Sequence, residues 1–160
     1  MYQTTFTAAA TQVAPATVAF MNMRGPYEQM AQGYQTLYAW IGEHGLVPAG
    51  PPIGVYLTDP STTPIDQSEW EIWAPIAGGA ESQPSPGEVG VKSIPEMTVA
   101  YTTYVGPYDK MQPTYTDLMA WIADHGYEIA GPSQEVYLSD PNSVGPEQYV
   151  TEVRFPIKPR

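Results

Sequence analysis

The sequence predicts an α+β domain made of two tandem strand–helix–strand–strand repeats, with antiparallel sheets and one long helix per repeat. Three observations predict it. The stretch from Val18 to Ile76 aligns without a gap on the stretch from Val99 to Ile157, an offset of 81 residues, with about 25 of 59 positions identical. Each copy holds one run of helical periodicity. Each also holds runs with the alternation of strands. One helix cannot cover a sheet of this size alone, so the two copies are expected to pack about a pseudo-twofold; chemistry that differs between the copies would then make an asymmetric pocket at a symmetric interface, a ligand cleft between the lobes.

Each element has its own signal. A strand at Thr17–Met23, matched by Thr98–Tyr104, runs into Gly-Pro-Tyr, where proline suits the first turn of a helix. Met30, Tyr34, Leu37 and Ile41 fall on one helical face, as do Met111, Tyr115, Leu118 and Ile122. His44-Gly45 and His125-Gly126 end the helices, glycine being free to take the left-handed conformation and histidine suiting the helix dipole. Trp40 and Trp121 match between copies and read as helix–sheet packing. Strands at Ile53–Thr58 and Gln134–Ser139 stop at Asp-Pro, and final strands run over Trp70–Ile76 and Thr151–Ile157. The segments Tyr2–Val13 and Glu88–Ile94 are expected to add a leading strand to each copy. The whole chain, 1–160, then reads as a single domain with repeats 1–76 and 88–157, joined by the Gly/Ser/Pro-rich linker 77–87.

Composition excludes several function classes. The 160 residues carry six Lys+Arg against 17 Asp+Glu, a net charge of −11, which repels phosphate backbones and anionic membranes. Neither direct nucleic-acid binding nor membrane association is expected. Absence of cysteine removes disulfides, thiolate metal sites and thiol nucleophiles, and two histidines are too few for a three-His centre. No metal or cofactor is expected. Ala77-Gly78-Gly79-Ala80 lacks the strand-to-helix context and following lysine of a phosphate loop. The start MYQTTFTAAATQVAP has neither the basic beginning nor the apolar stretch of a secretory leader, so a cytoplasmic location is expected.

Differences between the copies point to a binding site. Positions that match serve the shared fold; chemistry that differs can read a ligand. Glu135 has Gly54 as its counterpart, whereas Tyr137 matches Tyr56. On the strand, Glu135 and Tyr137 share one face, with Val136 and Leu138 on the other. Glu71 matches Glu152, but Trp73 has Arg154 as its counterpart. Glu152 and Arg154 can pair across their face, which would make them structural. Met21, Met23, Tyr101 and Tyr104 add large adaptable or aromatic side chains, suited to flat or cationic molecules.

The segments VAFMNMRGPYEQM and VAYTTYVGPYDKM, the His-Gly helix ends, EVYLSDP at Glu135–Pro141 and TEVRFPI at Thr151–Ile157 together resemble the GyrI-like effector-binding domains, over nearly the whole chain. These are small-molecule modules, found alone or attached to drug-sensing transcription activators. The resemblance implies a pocket in which the strand glutamate, here Glu135, is the buried carboxylate that meets cationic drugs, with Tyr137 lining the same cavity. The chain shows no helix-turn-helix ahead of the resemblance, so promoter binding is not expected.

The leading expectation is a stand-alone multidrug-type binding protein that sequesters or senses amphipathic aromatic cations without catalysis. Its candidate ligand residues are Glu135, Tyr137, Trp73, Tyr56, Met23, Tyr104, Tyr108, Glu71, Glu152 and Arg154. Affinity for cations should fall on acidification as the carboxylate is protonated. An alternative, which the resemblance also implies, is hydrolysis of cyclopropane-bearing genotoxins, with Glu135 activating water and Tyr104, Tyr108 or Tyr137 assisting. A third is inhibition of DNA gyrase through an acidic surface, although the acidic residues are scattered rather than clustered.

Overall fold

A computed structural model of the chain describes residues 6–59, 62–82, 84, 88–140 and 142–160. Residues 83 and 85–87 of the predicted linker 77–87, together with the first residues of the predicted leading segment, lie outside these described residues. The structure is α+β, with antiparallel sheet throughout its paired strands, and its residues divide into two compact units.

The first unit, Ala14–Glu96, contains β2 (Ala16–Arg24), α1 (Met30–Glu43), β3 (Ile53–Tyr56), β4 (Glu69–Ile76) and β5 (Gly90–Ile94). β4 pairs with both β3 and β2, and β2 pairs with β5 on its other side. The second unit joins the segment ending at Val13 to Met97–Arg160. It contains β1 (Ala9–Val13), β6 (Met97–Val105), α2 (Gln112–Asp124), β7 (Tyr127–Ile129), β8 (Ser133–Tyr137) and β9 (Val150–Pro159). β9 pairs with β6 and β8, β7 pairs with the end of β9, and β1 pairs with β6.

The leading strands do not pair within the copies they precede. β1 lies beside β6, from Ala9 opposite Tyr101 to Val13 opposite Met97, and β5 lies beside β2. The connections explain this. Ala14-Pro15 separates β1 from β2, and Pro95-Glu96 separates β5 from β6. A two-residue hairpin needs a left-handed backbone at its first central residue or at both, which proline cannot adopt and which no described non-glycine residue adopts. Each connection therefore runs on, and its two strands do not fold back on one another. Strand β7 is not among the strands expected from the sequence.

Each helix packs one apolar face on its own sheet. Gly33, Leu37 and Ile41 of α1 are buried against a cluster that includes Ala19, Met21, Trp70, Ile72, Ala74 and Ile76. Leu118 and Ile122 of α2 are buried with Met111, Ala100, Val153, Phe155 and Ile157. Burial of a leucine such as Leu37, fully inaccessible here, stabilises by roughly 2–3 kcal/mol. The Gly-Pro-Tyr segments open 3-10 turns at Tyr27–Gln29 and Tyr108–Lys110, and the α-helices start just after them. Both helices end as the sequence indicates. Gly45 and Gly126 take φ of 67° and 80°, the left-handed conformation of a helix stop. The His44 and His125 rings stack on Trp40 and Trp121, with Nδ1 at 2.9 and 2.8 Å from those residues' carbonyls. No helix among the described residues is long and apolar enough to cross a membrane.

Candidate functional site

The site is built on β8 of the second unit. Glu135 lies opposite Val153 and Tyr137 opposite Thr151, so both side chains share the sheet face that α2 covers. Tyr115, on α2, donates its hydroxyl to Glu135 Oε2, and Tyr137 donates to Oε1 at 2.9 Å. Glu135 is half-buried. Hydrogen bonds to a carboxylate favour its charged form, so two phenols compensate for the water that α2 displaces.

An aromatic group extends the site. The Tyr108 ring meets Tyr137 edge-on at 5.5 Å and stacks on Tyr149 at 4.7 Å. Loss of solvent pushes the Tyr108 hydroxyl above the ordinary phenol value, with smaller contributions from Tyr149 and from the Glu135 charge. Thr151 lies between Tyr104 and Tyr137 in the sheet; its hydroxyl is fully buried and, among the described residues, has no hydrogen-bond partner.

The corresponding place in the first unit is built differently. Gly54 replaces Glu135, and Tyr34, the counterpart of Tyr115, donates to the Ile53 carbonyl at 2.7 Å. Trp70 replaces Thr151, and its indole N–H reaches the Gly25 carbonyl at 3.0 Å. Tyr27 packs edge-on against Tyr56 at 5.2 Å and against Trp70 at 5.4 Å. A fully buried indole thus stands where the second unit has a small hydroxyl. Of the sequence candidates, Tyr56 and Met23 belong to this packed cluster.

Other candidates occupy the opposite sheet faces. Alternation along β4 sends Trp70, Ile72, Ala74 and Ile76 to α1, and Glu71 and Trp73 away from it. There Glu71 Oε1 accepts the Trp73 indole N–H at 2.8 Å and Lys92 Nζ at 2.5 Å. The Lys92 ammonium also lies 4.2 Å from the Phe20 ring centre and 5.1 Å from that of Trp73. This carboxylate-and-aromatic group already holds a cation, the protein's own. In the second unit, Arg154 donates from Nε to Gln134 Oε1 at 2.8 Å and from Nη1 to Glu152 Oε2 at 3.4 Å, so this pair lies apart from Glu135. Burial pulls the Arg154 guanidinium below its ordinary value, and Glu152 acts against that shift.

The grouping around Glu135 thus comprises Tyr137 and Tyr108 from the candidate set, with Tyr115, Tyr149 and Thr151 added. Tyr104 packs near the same core, and its hydroxyl donates to the Pro107 carbonyl at 2.7 Å. Leu138 is half exposed, just beyond the end of β8, whereas Val136 is buried. Tyr115 was readable only as a helix-face residue because it matches Tyr34; the exchange of Gly54 for Glu135 redirects its hydroxyl. Among the described residues, no group of three or more His, Cys, Asp or Glu could hold a metal ion.

The fold has clear relatives among solved structures. The C-terminal domain of EcmrR superposes with a TM-score of 0.81 at 18% identity, over 97% of this chain and 99% of that domain. EcmrR in its complex with DNA gives 0.84 at 17% identity, with 97% of this chain covered, and the match spans only 58% of that longer chain. A hydrolase encoded by lin2189 from Listeria innocua gives 0.71 at 16% identity, over 94% and 91% of the two chains. SAV2435 bound to tetraphenylphosphonium gives 0.58 at 13% identity, over 95% and 94%. No curated protein sequence matches the chain. The model of the GyrI-like small molecule binding domain matches residues 11–158. The chain belongs to the GyrI-like small-molecule-binding domain family.

Proposed function

We propose that the unit carrying Glu135 binds flat or bulky aromatic cations and that the protein sequesters or senses them without transforming them. The observation that carries this reading is the pair of tyrosine hydroxyls on the two oxygens of Glu135, next to the Tyr108–Tyr149 stack. An ionised carboxylate beside aromatic faces attracts an organic cation through charge and ring quadrupole together. The net charge of −11 steers cations toward the protein. SAV2435, a protein of similar fold, was solved with a bound aromatic cation, tetraphenylphosphonium. A thermal-shift panel of cationic dyes, neutral aromatics and aromatic anions tests the reading on the wild type and Glu135→Gln. Stabilisation by cations alone, lost in the variant, supports it; equal stabilisation by all three classes overturns it.

A second reading is hydrolysis. It is favoured by the fold shared with the Listeria hydrolase and by the contact of a carboxylate with a phenol. Glu135 would take a proton from water as the resulting hydroxyl adds to a strained cyclopropane carbon, and the ring bond would break toward a conjugated acceptor. Turnover of such a compound by the wild type, absent in Glu135→Gln, selects this reading over binding alone.

A further inference from the structure

The face of the first sheet turned away from α1 carries an ion pair assembled from distant positions. Lys92 on β5 stands opposite Val18 of β2, and Glu71 on β4 stands opposite Asn22 of β2. Four positions of β2, roughly 13 Å of strand, separate those levels. Phe20 lies midway between them, opposite Trp73 of β4. The lysine meets Glu71 at 2.5 Å only by extending along the face past both rings.

The contacts it makes are those a free alkylammonium ion would use. Glu71 supplies the charge, and Trp73 fixes the accepting Oε1 by donating its indole N–H at 2.8 Å. The ammonium stands 4.2 Å from the Phe20 ring centre and 5.1 Å from that of Trp73. Both rings are buried, and the Glu71 side chain is only 14% exposed, so little water competes for the charge. Lys92 is looser: its side chain is 30% exposed and reaches the group on a flexible stem.

The second unit arranges its cation otherwise. Tyr101, Glu152 and Arg154 are the counterparts of Phe20, Glu71 and Trp73, and Thr11 is the counterpart of Lys92. There the cation stands at the indole's own position, two residues from its glutamate, and Gln134 holds it as well. The fold shared by the copies therefore does not require a lysine stretched over two rings.

We infer that Glu71, Trp73 and Phe20 form a second cation site, for linear primary ammonium ions, and that Lys92 is its built-in occupant, which a free amine of this class displaces. The ligand class follows from the occupant. An unbranched chain lies along the rings, and an N–H bond reaches the carboxylate, which a bulky onium ion lacking N–H cannot provide. A tethered competitor acts at an effective concentration in the millimolar range, so Lys92 sets the threshold above which a free amine enters. The inference is independent of Glu135.

The test is a titration with n-propylammonium chloride, the part of the lysine side chain that Lys92→Ala removes, at ionic strength matched with sodium chloride. The readouts are the Trp73 indole N–H resonance, assigned through Trp73→Phe, and the melting temperature. In Lys92→Ala the resonance should shift saturably and the melting temperature should rise by about 3 °C or more. The wild-type resonance should move in the same direction only at concentrations at least about tenfold higher. Neither n-propanol nor tetramethylammonium should reproduce the shift, and adding Glu71→Gln to Lys92→Ala should abolish it. No saturable shift in either protein up to about 100 mM amine would overturn the inference. So would equal sensitivity of wild type and Lys92→Ala, or a shift that survives Glu71→Gln.

Discussion

Tyr137 donates its hydroxyl to Glu135 Oε1 from two residues along the same strand, at 2.9 Å, while Tyr115 reaches the other oxygen from α2. The carboxylate is therefore oriented from the sheet and from the helix. Removing either phenol deletes a hydrogen bond to a charged group, which typically contributes about 1.5–3 kcal/mol. Tyr115→Phe and Tyr137→Phe should each lower unfolding free energy by about 1–2 kcal/mol, since a half-buried carboxylate recovers some water. Each should also weaken tetraphenylphosphonium binding several-fold, less than Glu135→Gln does. Urea denaturation and calorimetric titration of the two variants measure both effects.

The Tyr108 hydroxyl gives a pH signature. Its folded-state value is raised, first by desolvation and then by Tyr149 and Glu135. A group raised on folding contributes stability that is complete below its unfolded value and is lost as pH rises through its folded value. The protein should therefore lose stability from about pH 10 upward, and Tyr108→Phe should flatten that loss. Glu135→Gln should move the Tyr108 titration part of the way back. Ultraviolet absorbance of the phenolate follows it directly. An unchanged alkaline profile in Tyr108→Phe would show that other groups govern the loss.

Among the described residues, nothing hydrogen-bonds the buried Thr151 hydroxyl. Replacing an unsatisfied buried hydroxyl with a methyl of the same shape removes a desolvation cost of about 1–3 kcal/mol. Thr151→Val should thus raise the melting temperature. Thr151→Trp, which copies the first unit, should block cation binding by placing an indole beside Tyr108. Melting curves with and without tetraphenylphosphonium separate the two effects; a Thr151→Trp protein that still binds the cation would mean the ligand lies elsewhere.

Lys92 fills the aromatic and acidic group on the far face of the first sheet, on Glu71, Trp73 and Phe20. Lys92→Met should destabilise by about 1–3 kcal/mol, because it leaves the partly buried Glu71 without its cation. Adding Glu71→Gln should recover part of this. Cation affinity at Glu135 should stay unchanged in both variants, a result that calorimetric titration checks.

Local signals in the sequence located the elements, and the internal repeat located the asymmetry. The period through Leu37 and Ile41 marks a helix because burial of one face decides it, and Gly45 marks its end because only glycine adopts that φ cheaply. The partners of β1 and β5 were not legible, since strand pairing is long-range and the informative residues, Pro15 and Pro95, speak only through the turns they forbid. Glu135 stood out because Gly54 cannot share its chemistry. Tyr115 did not, since a tyrosine conserved between copies looks structural until its acceptor is known. Glu71 and Trp73 were legible as an aromatic–acid pair, but Lys92, the cation that completes it, comes from a strand 21 residues away. Thr151 went unread because a small residue signals space only against the Trp70 that fills its place elsewhere.

The most direct test is calorimetric titration of tetraphenylphosphonium into the wild type and Glu135→Gln, each at neutral and acidic pH. The account predicts one site per chain in the wild type, weakened at least tenfold at acidic pH as Glu135 gains a proton, and equally weak at both pH values in Glu135→Gln. Wild-type affinity retained by Glu135→Gln, or an affinity independent of pH, would contradict it.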